Sequence, residues 1–574
     1  MLIIGKKTAK IILLFFAVLF LFAFGDSKAA NLGNQSIFKV DPVFDVNERN
    51  QVTAELVANS GNLYFYVEKD WWNLQVPAKK TEILGNLEKV SFEFSSKIYP
   101  ILTSVFGSEW KPGIDGDEKI TILLEAMKEG VGGYFRNNDE YLKLQLPDSN
   151  EREMIYLALA KIDDAGLKLY LAHEFTHLIT FNQKDRLGSV SEEVWLNEAR
   201  AEYGLTVLGY NSQYDGSNLQ RRIKDFTARP TDSVAEWLET KYDYASINAF
   251  GQYVMDHYGI NIFSDSIKSK SVGITSINEA LQKNGYKENF SEIFTNWTIA
   301  VAINNCSVDI LYCYLNTNLQ WLKINPELIF LPVSGESSLS VTNVTKNWAG
   351  NWQKIIGGKG NLNLKFSSIP GLDFKLPYII FDKRNNFELK FLTINEKQEG
   401  EIKIENFGEE YVSLLLMPSL QSKISGFESQ ELTYPYTFNI SISGQTENND
   451  ALIQKLLAQI EGLKKQISEL MAKRTQAVLG QSTVNNSCLS ITLNLSAGAA
   501  GGEVSCLQKF LKNQGYEIYP EGLVTGYFGS LTKSAVIRFQ EKYKNEILSP
   551  LGFSSGTGFV GLATRNKINQ LLNK

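Results

Sequence analysis

Apolar residues follow two rhythms along this chain, and the switches between them outline its domain plan. Leu63-Tyr64-Phe65-Tyr66-Val67 and Ile120-Thr121-Ile122-Leu123-Leu124 are short runs rich in aromatic and β-branched residues and predict strands. Lys79 to Phe106 predicts a helix ending near Gly107. Tyr141-Leu142-Lys143-Leu144-Gln145-Leu146 alternates strictly, which predicts another strand. From Leu167 to Phe181 neither Gly nor Pro intervenes and the flanking residues are apolar, so a buried helix is expected. Trp195 to Tyr203 predicts a second helix, and the pattern stays mainly helical to about Leu322.

From about Leu331 short strand-like runs separated by Gly, Asn and Pro take over. Leu362 to Phe366, Tyr378 to Phe381, Tyr411 to Leu416 and Thr437 to Ile442 are the clearest. Their spacing predicts an antiparallel β-sandwich of about 110 residues. A polar stretch, Gln445 to Asp450, then leads to Ile453, Leu456, Ile460, Leu463, Ile467 and Leu470 at alternating three- and four-residue intervals. Ile at each a position and Leu at each d favours a parallel two-stranded coiled coil, hence a homodimer through 453–470; the alternative is one amphipathic helix lying on a neighbouring domain. In the last module Val504, Leu507 and Leu511 form one apolar helix face, Ala535, Val536 and Phe539 a second, and Ile568, Leu571 and Leu572 a third.

The 574 residues exceed the roughly 250–300 at which single cores stop growing, so several domains are expected. The boundaries read as 1–29 signal peptide, 30–330, 331–445 sandwich, 446–483 coiled coil and linker, and 484–574. Lys6, Lys7 and Lys10, an apolar run from Ile11 to Phe24 and then Ser27-Lys28-Ala29 predict a cleaved secretory signal, because the run is short of the about 20 residues a membrane span needs. The expected location is therefore secreted, extracellular or wall-associated. A formal net charge of −6 argues against nucleic acid as a partner. The four cysteines fall as two local pairs, Cys306 with Cys313 and Cys488 with Cys506, and both are expected as disulfides.

Two of the three histidines in the chain lie in His173-Glu174-Phe175-Thr176-His177. Four residues apart on a helix, His173 and His177 project from one face and can grip one metal ion, with Glu174 beside the open coordination position. Zinc needs a third protein ligand, which Glu198 on the next predicted helix can supply. Glu202, one turn on, could hydrogen-bond a ligating histidine. Calcium is the second ion considered, at the Asp115-Gly116-Asp117 turn. That turn lacks the later Glu of an EF-hand loop, so a plain turn is expected and calcium is not supported.

H-E-x-x-H followed by N-E on a second helix resembles the gluzincin metallopeptidases, and W-L-N-E-x-x-A-E-Y is similar to their hyicolysin-like branch. The D-G-D turn, the Ile120–Leu124 strand and Gly132-Gly133-Tyr134-Phe135 resemble the lobe before the active helix in the same branch. That likeness covers about residues 110–260. It implies one Zn2+ on His173, His177 and Glu198, Glu174 as general base and an edge strand that takes the substrate backbone. It also implies a Tyr or His near Lys241–Ser246 that hydrogen-bonds the oxyanion: Tyr244 first, then Tyr242, then His257.

The motifs E-V-x-x-L-Q-x-F-L, V-T-G-Y-F-G-x-x-T and A-V-x-x-F-Q in 487–574 resemble the peptidoglycan-binding domain-1 family, a three-helix bundle. The fold class expected is thus multidomain: an α/β plus α zincin-type unit, a β-sandwich, a short coiled coil and a three-helix wall-binding module. The expected function is a wall-associated zinc endopeptidase acting on protein or peptide. Its rivals are a peptidoglycan cross-link endopeptidase and a non-catalytic wall-binding protein with a structural metal site.

Overall fold

The computed structural model describes residues 31–333, 335–427, 429–443, 458–466 and 490–573. The expected signal peptide lies outside them, as does Cys488 and most of the heptad seam; within the seam, 458–466 is helical with Ile460 and Leu463 exposed. The chain divides into two compact units, residues 1–449 and 450–574.

The first unit starts with a six-stranded sheet. Its strands are β1 (Gln35–Lys39), β2 (Gln51–Ser60), β3 (Leu63–Glu68), β4 (Ile120–Glu125), β5 (Gly133–Tyr134) and β6 (Met154–Ala158), in the order β1-β2-β3-β4-β6-β5. β3, β4 and β6 are parallel, while β5 runs antiparallel to β6 at the margin. β4 and β6 are buried along their whole length, as parallel strands covered on both faces must be, which explains their near-continuous apolar sequence. Pro77–Glu93 and Tyr99–Phe106, joined by a π turn, form the crossover from β3 to β4 and end on Gly107.

The alternating run Tyr141–Leu146 is not a strand. The N–H groups of Gln145 and Leu146 both donate to the Leu142 carbonyl (2.7 and 2.9 Å), so the segment folds into a turn with Leu144 in solvent. The strand of this region is β6, whose five consecutive buried residues give no alternation to read.

Seven helices of at least eight residues follow between Leu167 and Ile303. The helix carrying Tyr244 begins at Lys241 and runs to Tyr258. Thr240 and Asp243 form a capping box at its N-terminus, which places Tyr244 inside the first turns rather than in a preceding loop.

Beyond Pro326 the fold departs from two face-packed sheets. β7 (Glu327–Leu331), β8 (Ser337–Thr345), β9 (Gln353–Gly357), β10 (Gly360–Ser368), β11 (Phe374–Lys375), β12 (Pro377–Asp382), β13 (Phe387–Phe391), β14 (Glu399–Phe407), β15 (Tyr411–Leu416), β16 (Ser419–Leu420) and β17 (Tyr434–Ser443) supply one nine-stranded sheet and a small β11–β16 pair. The path runs β13-β12-β15-β14-β10-β17-β8, with β9 and β7 branching from β15. Because β15 pairs with β12, β9 and the end of β14, the sheet curls into a nearly closed barrel. Alternate residues Leu362, Leu364 and Phe366 of β10 and Tyr436, Phe438, Ile440 and Ile442 of β17 fill its interior.

Residues on both sides of position 330 share one core. Trp348 packs edge-on against Phe290 and Phe294, and the Trp352 indole donates to the Thr298 carbonyl (2.9 Å). Glu236 is paired with Lys346 and accepts from the Glu431 N–H (2.6 Å).

Among the described residues beyond 490, Gly502–Asn513, Ser530–Lys542 and Leu562–Leu572 are the three long helices, with the short helix Lys544–Ile547 between the last two. They close on Leu507, Phe510, Leu511, Val536, Phe539 and Ile568. Cys306 and Cys313 are disulfide-bonded. Among the described residues no helix is long and apolar enough to cross a membrane.

Candidate metal centre and wall-binding module

His173 and His177 stand one turn apart on the motif helix, Leu167–Thr180, their rings 4.9 Å apart. The companion helix, Val194–Val207, packs against it and carries Glu198. His173 Nε2 lies 3.1 Å from Glu198 Oε2, and His177 Nε2 lies 3.4 Å from Oε1. Donor atoms of all three residues fall within 4.8 Å of one another, and they are the one such group of three or more among the described residues.

Ligands on a tetrahedral zinc with bonds of about 2.0–2.1 Å sit about 3.3 Å apart, so the two nitrogen–oxygen separations fit zinc. The electrostatics agree. Burial works against charge on His177, but the Glu198 carboxylate outweighs it and pushes the imidazole up to about 9. Burial would raise Glu198; His177 and His173 hold it far below the usual carboxylate range instead. Positive charge is therefore favoured where the donors converge. A zinc ion fits the donor set.

Glu174 is buried, and that burial raises its pKa against the opposing pull of the two histidines. Its neighbour across the gap is β5: a β-carbon built on Gly133 would lie 3.1 Å from Glu174 Cγ and 2.8 Å from the Tyr156 carbonyl oxygen. Gly133 thus lets the marginal strand run directly past the carboxylate.

Glu202 lies 3.8 Å from His173 Nδ1, beyond hydrogen-bond range. Its own bonds go elsewhere. Arg222 donates to both of its oxygens (2.9 and 2.5 Å), and Asn218 (2.8 Å) and Asn248 (3.1 Å) donate to Oε2. Burial penalises this carboxylate, yet Arg222 outweighs it and holds Glu202 below the ordinary carboxylate value. Glu202 is therefore a fixed anion behind His173, anchored by three residues that motif reading did not single out. Asn197, the asparagine of the N-E pair, lies beside His177 and favours its charged form.

Of the three oxyanion candidates, Tyr244 is the one beside the histidines, its ring 6.5 Å from that of His173 and covered by the Arg222 guanidinium at 4.3 Å. Tyr242 sits against Arg229 and Lys241 instead. His257, at the far end of the helix, bonds the Cys313 carbonyl at 2.9 Å. The Asp115–Asp117 turn uses its own oxygens: Asp115 accepts from the Asp117 N–H (2.9 Å), and Asp117 accepts from Lys119 N–H (3.0 Å) and the Tyr64 hydroxyl (3.0 Å).

The second unit contains the same hydrogen-bonded loop twice, each residue of the second copy 32 positions after its counterpart. The Gln508 amide donates to the Tyr527 carbonyl (2.8 Å) and Thr532 Oγ1 (2.9 Å), and its oxygen accepts from the Thr525 and Gly526 N–H groups (both 2.8 Å). Gln540 does the same with Phe559 (2.8 Å), Thr564 (3.0 Å), Thr557 (2.8 Å) and Gly558 (2.9 Å). Both glutamines are buried, so each locks a T-G-aromatic loop onto the helix before it.

Residues 500–568 match a family model described as a putative peptidoglycan binding domain. No curated protein matches the chain. Three solved structures resemble parts of it, each with a TM-score of 0.14: the Yersinia pseudotuberculosis-derived mitogen (14% identity, 20% of this chain and 92% of that one); CorA, a surface-associated copper-binding protein of Methylomicrobium album BG8 (9%, 21% and 98%); and Aeromonas hydrophila PliG, a periplasmic inhibitor of g-type lysozyme (9%, 21% and 100%). These likenesses are too distant to carry an argument. The family match supports association of this chain with the cell wall through its second unit.

Proposed function

We propose that this protein is a secreted, wall-associated zinc-dependent endopeptidase. The convergence of His173, His177 and Glu198 on one point, with the buried Glu174 beside it, carries the reading. A zinc ion held there supplies Lewis acidity to a water and to the scissile carbonyl. Glu174 takes the proton from the attacking water and returns it to the leaving amine. The Tyr244 hydroxyl donates to the oxyanion. Arg222, Asn218 and Asn248 keep Glu202 charged behind His173, which steadies the imidazole. An extended peptide adds to the outer margin of β5, which Gly133 brings close to Glu174.

Hydrolysis of a peptide library, run with and without a chelator alongside zinc analysis, tests the proposal. Chelator-insensitive cleavage or absence of zinc would sink it. The wall-binding module favours one second reading, an endopeptidase for peptidoglycan cross-links. Casein and purified sacculi offered in parallel separate the two, since a cross-link enzyme releases muropeptides and leaves casein intact.

A further inference from the structure

The peptidoglycan-binding module contains two equivalent loops, and each exposes an aromatic side chain at the same position. Tyr527 is 56% and Phe559 45% exposed, whereas the next residues, Phe528 and Val560, are fully buried. The fold uses Phe528 and Val560 as core. Of Tyr527 and Phe559, the buried glutamines engage only the carbonyl oxygens. The surroundings match as well. Each ring lies over the glycine two residues on, where a β-carbon would come within 3.7 Å of the Tyr527 ring at Gly529 and 3.0 Å of the Phe559 ring at Gly561. A single exposed aromatic needs no explanation. The same exposed aromatic at the same position of a repeated, rigidly locked loop does.

We infer that Tyr527 and Phe559 are twin platforms for the sugar rings of one glycan strand. This rests on the peptidoglycan reading of the module and names the part of the polymer it grips. The face of an aromatic ring is electron-rich, and the C–H groups on a pyranose face carry partial positive charge, so a sugar stacks on an exposed ring without any charged partner. The loops hold the rings in place beforehand, so little freedom is lost on binding. A polymer of repeating sugars offers the same surface twice, and two modest contacts on one strand multiply.

The test is co-sedimentation of the full chain with purified sacculi and with glycan strands stripped of their peptides. Tyr527→Ala and Phe559→Ala should each weaken sedimentation several-fold, and the double variant should lose on the order of 100-fold or more. Melting temperatures should hold and Tyr527→Trp should retain binding. A double variant that sediments like the wild type overturns the inference while leaving the peptidoglycan reading intact. So does a wild-type chain that binds sacculi but not stripped strands. A wild-type chain that fails to bind sacculi overturns the peptidoglycan reading itself.

Discussion

Gly133 and Glu174 approach each other so closely that a β-carbon on the glycine would stand 3.1 Å from the glutamate Cγ. One lies at the margin of the sheet and the other is the base of the proposed reaction, so the proposed peptide rim and the proposed proton carrier meet in a single contact. Gly133→Val should lower peptidase activity by at least about tenfold, because its branches displace either Glu174 or the Tyr156 carbonyl. Steady-state kinetics with a peptide substrate measure this, with far-ultraviolet circular dichroism to check that the fold persists.

Glu174→Gln preserves shape and removes the base. Activity should fall by about 10²–10⁴-fold, while zinc content by elemental analysis stays at the wild-type level. A variant that cleaves at the wild-type rate would falsify the assigned role.

Arg222→Met should be costly in two ways. Glu202 would remain buried with amides but no cation, which destabilises by about 3–5 kcal/mol, seen as a fall in melting temperature. The loosened support behind His173 should weaken zinc binding about 10–100-fold, measured by competition with a chromogenic chelator.

Motif spacing was enough to bring His173, His177 and Glu198 together on paper, because H-E-x-x-H and N-E encode a geometry in the residue types themselves. What surrounds it was not legible. Arg222 and Asn248 reach Glu202 from helices 20 and 46 residues further on, and no local pattern announces such a contact. Tyr141–Leu146 shows the opposite failure, in which perfect alternation lost to a turn closed on Leu142. Strand spacing predicted β structure after residue 331, but curling into one sheet depends on β15 finding three partners, which is a matter of register. The loop repeat was readable: T-G-Y-F-G-x-x-T and T-G-F-V-G-x-x-T recur at a fixed period, and a self-comparison of the sequence would find them.

Acidity offers a handle away from the histidine cluster. Glu125 is buried in the sheet with Tyr134 as hydrogen-bond donor, and burial, only partly offset by that bond, pushes its carboxyl from the ordinary 4.5 up to about 8. The folded protein therefore holds a proton that the unfolded chain releases, and stability falls as pH rises from about 4.5 towards about 8. Glu125→Gln should leave the melting temperature nearly unchanged at about pH 4 and raise it relative to wild type at about pH 9. Thermal unfolding across that range shows whether the gap opens in this direction.

The indoles of Trp348 and Trp352, which the chain supplies between β8 and β9, pack into the helical core rather than the barrel interior, Trp348 against Phe290 and Phe294 and Trp352 on the Thr298 carbonyl. Expression of residues 31–330 alone would consequently leave an apolar wound where the tryptophans belong. The smallest piece worth purifying for crystallisation or inhibitor screening ends near residue 443, not at the point where the helices stop.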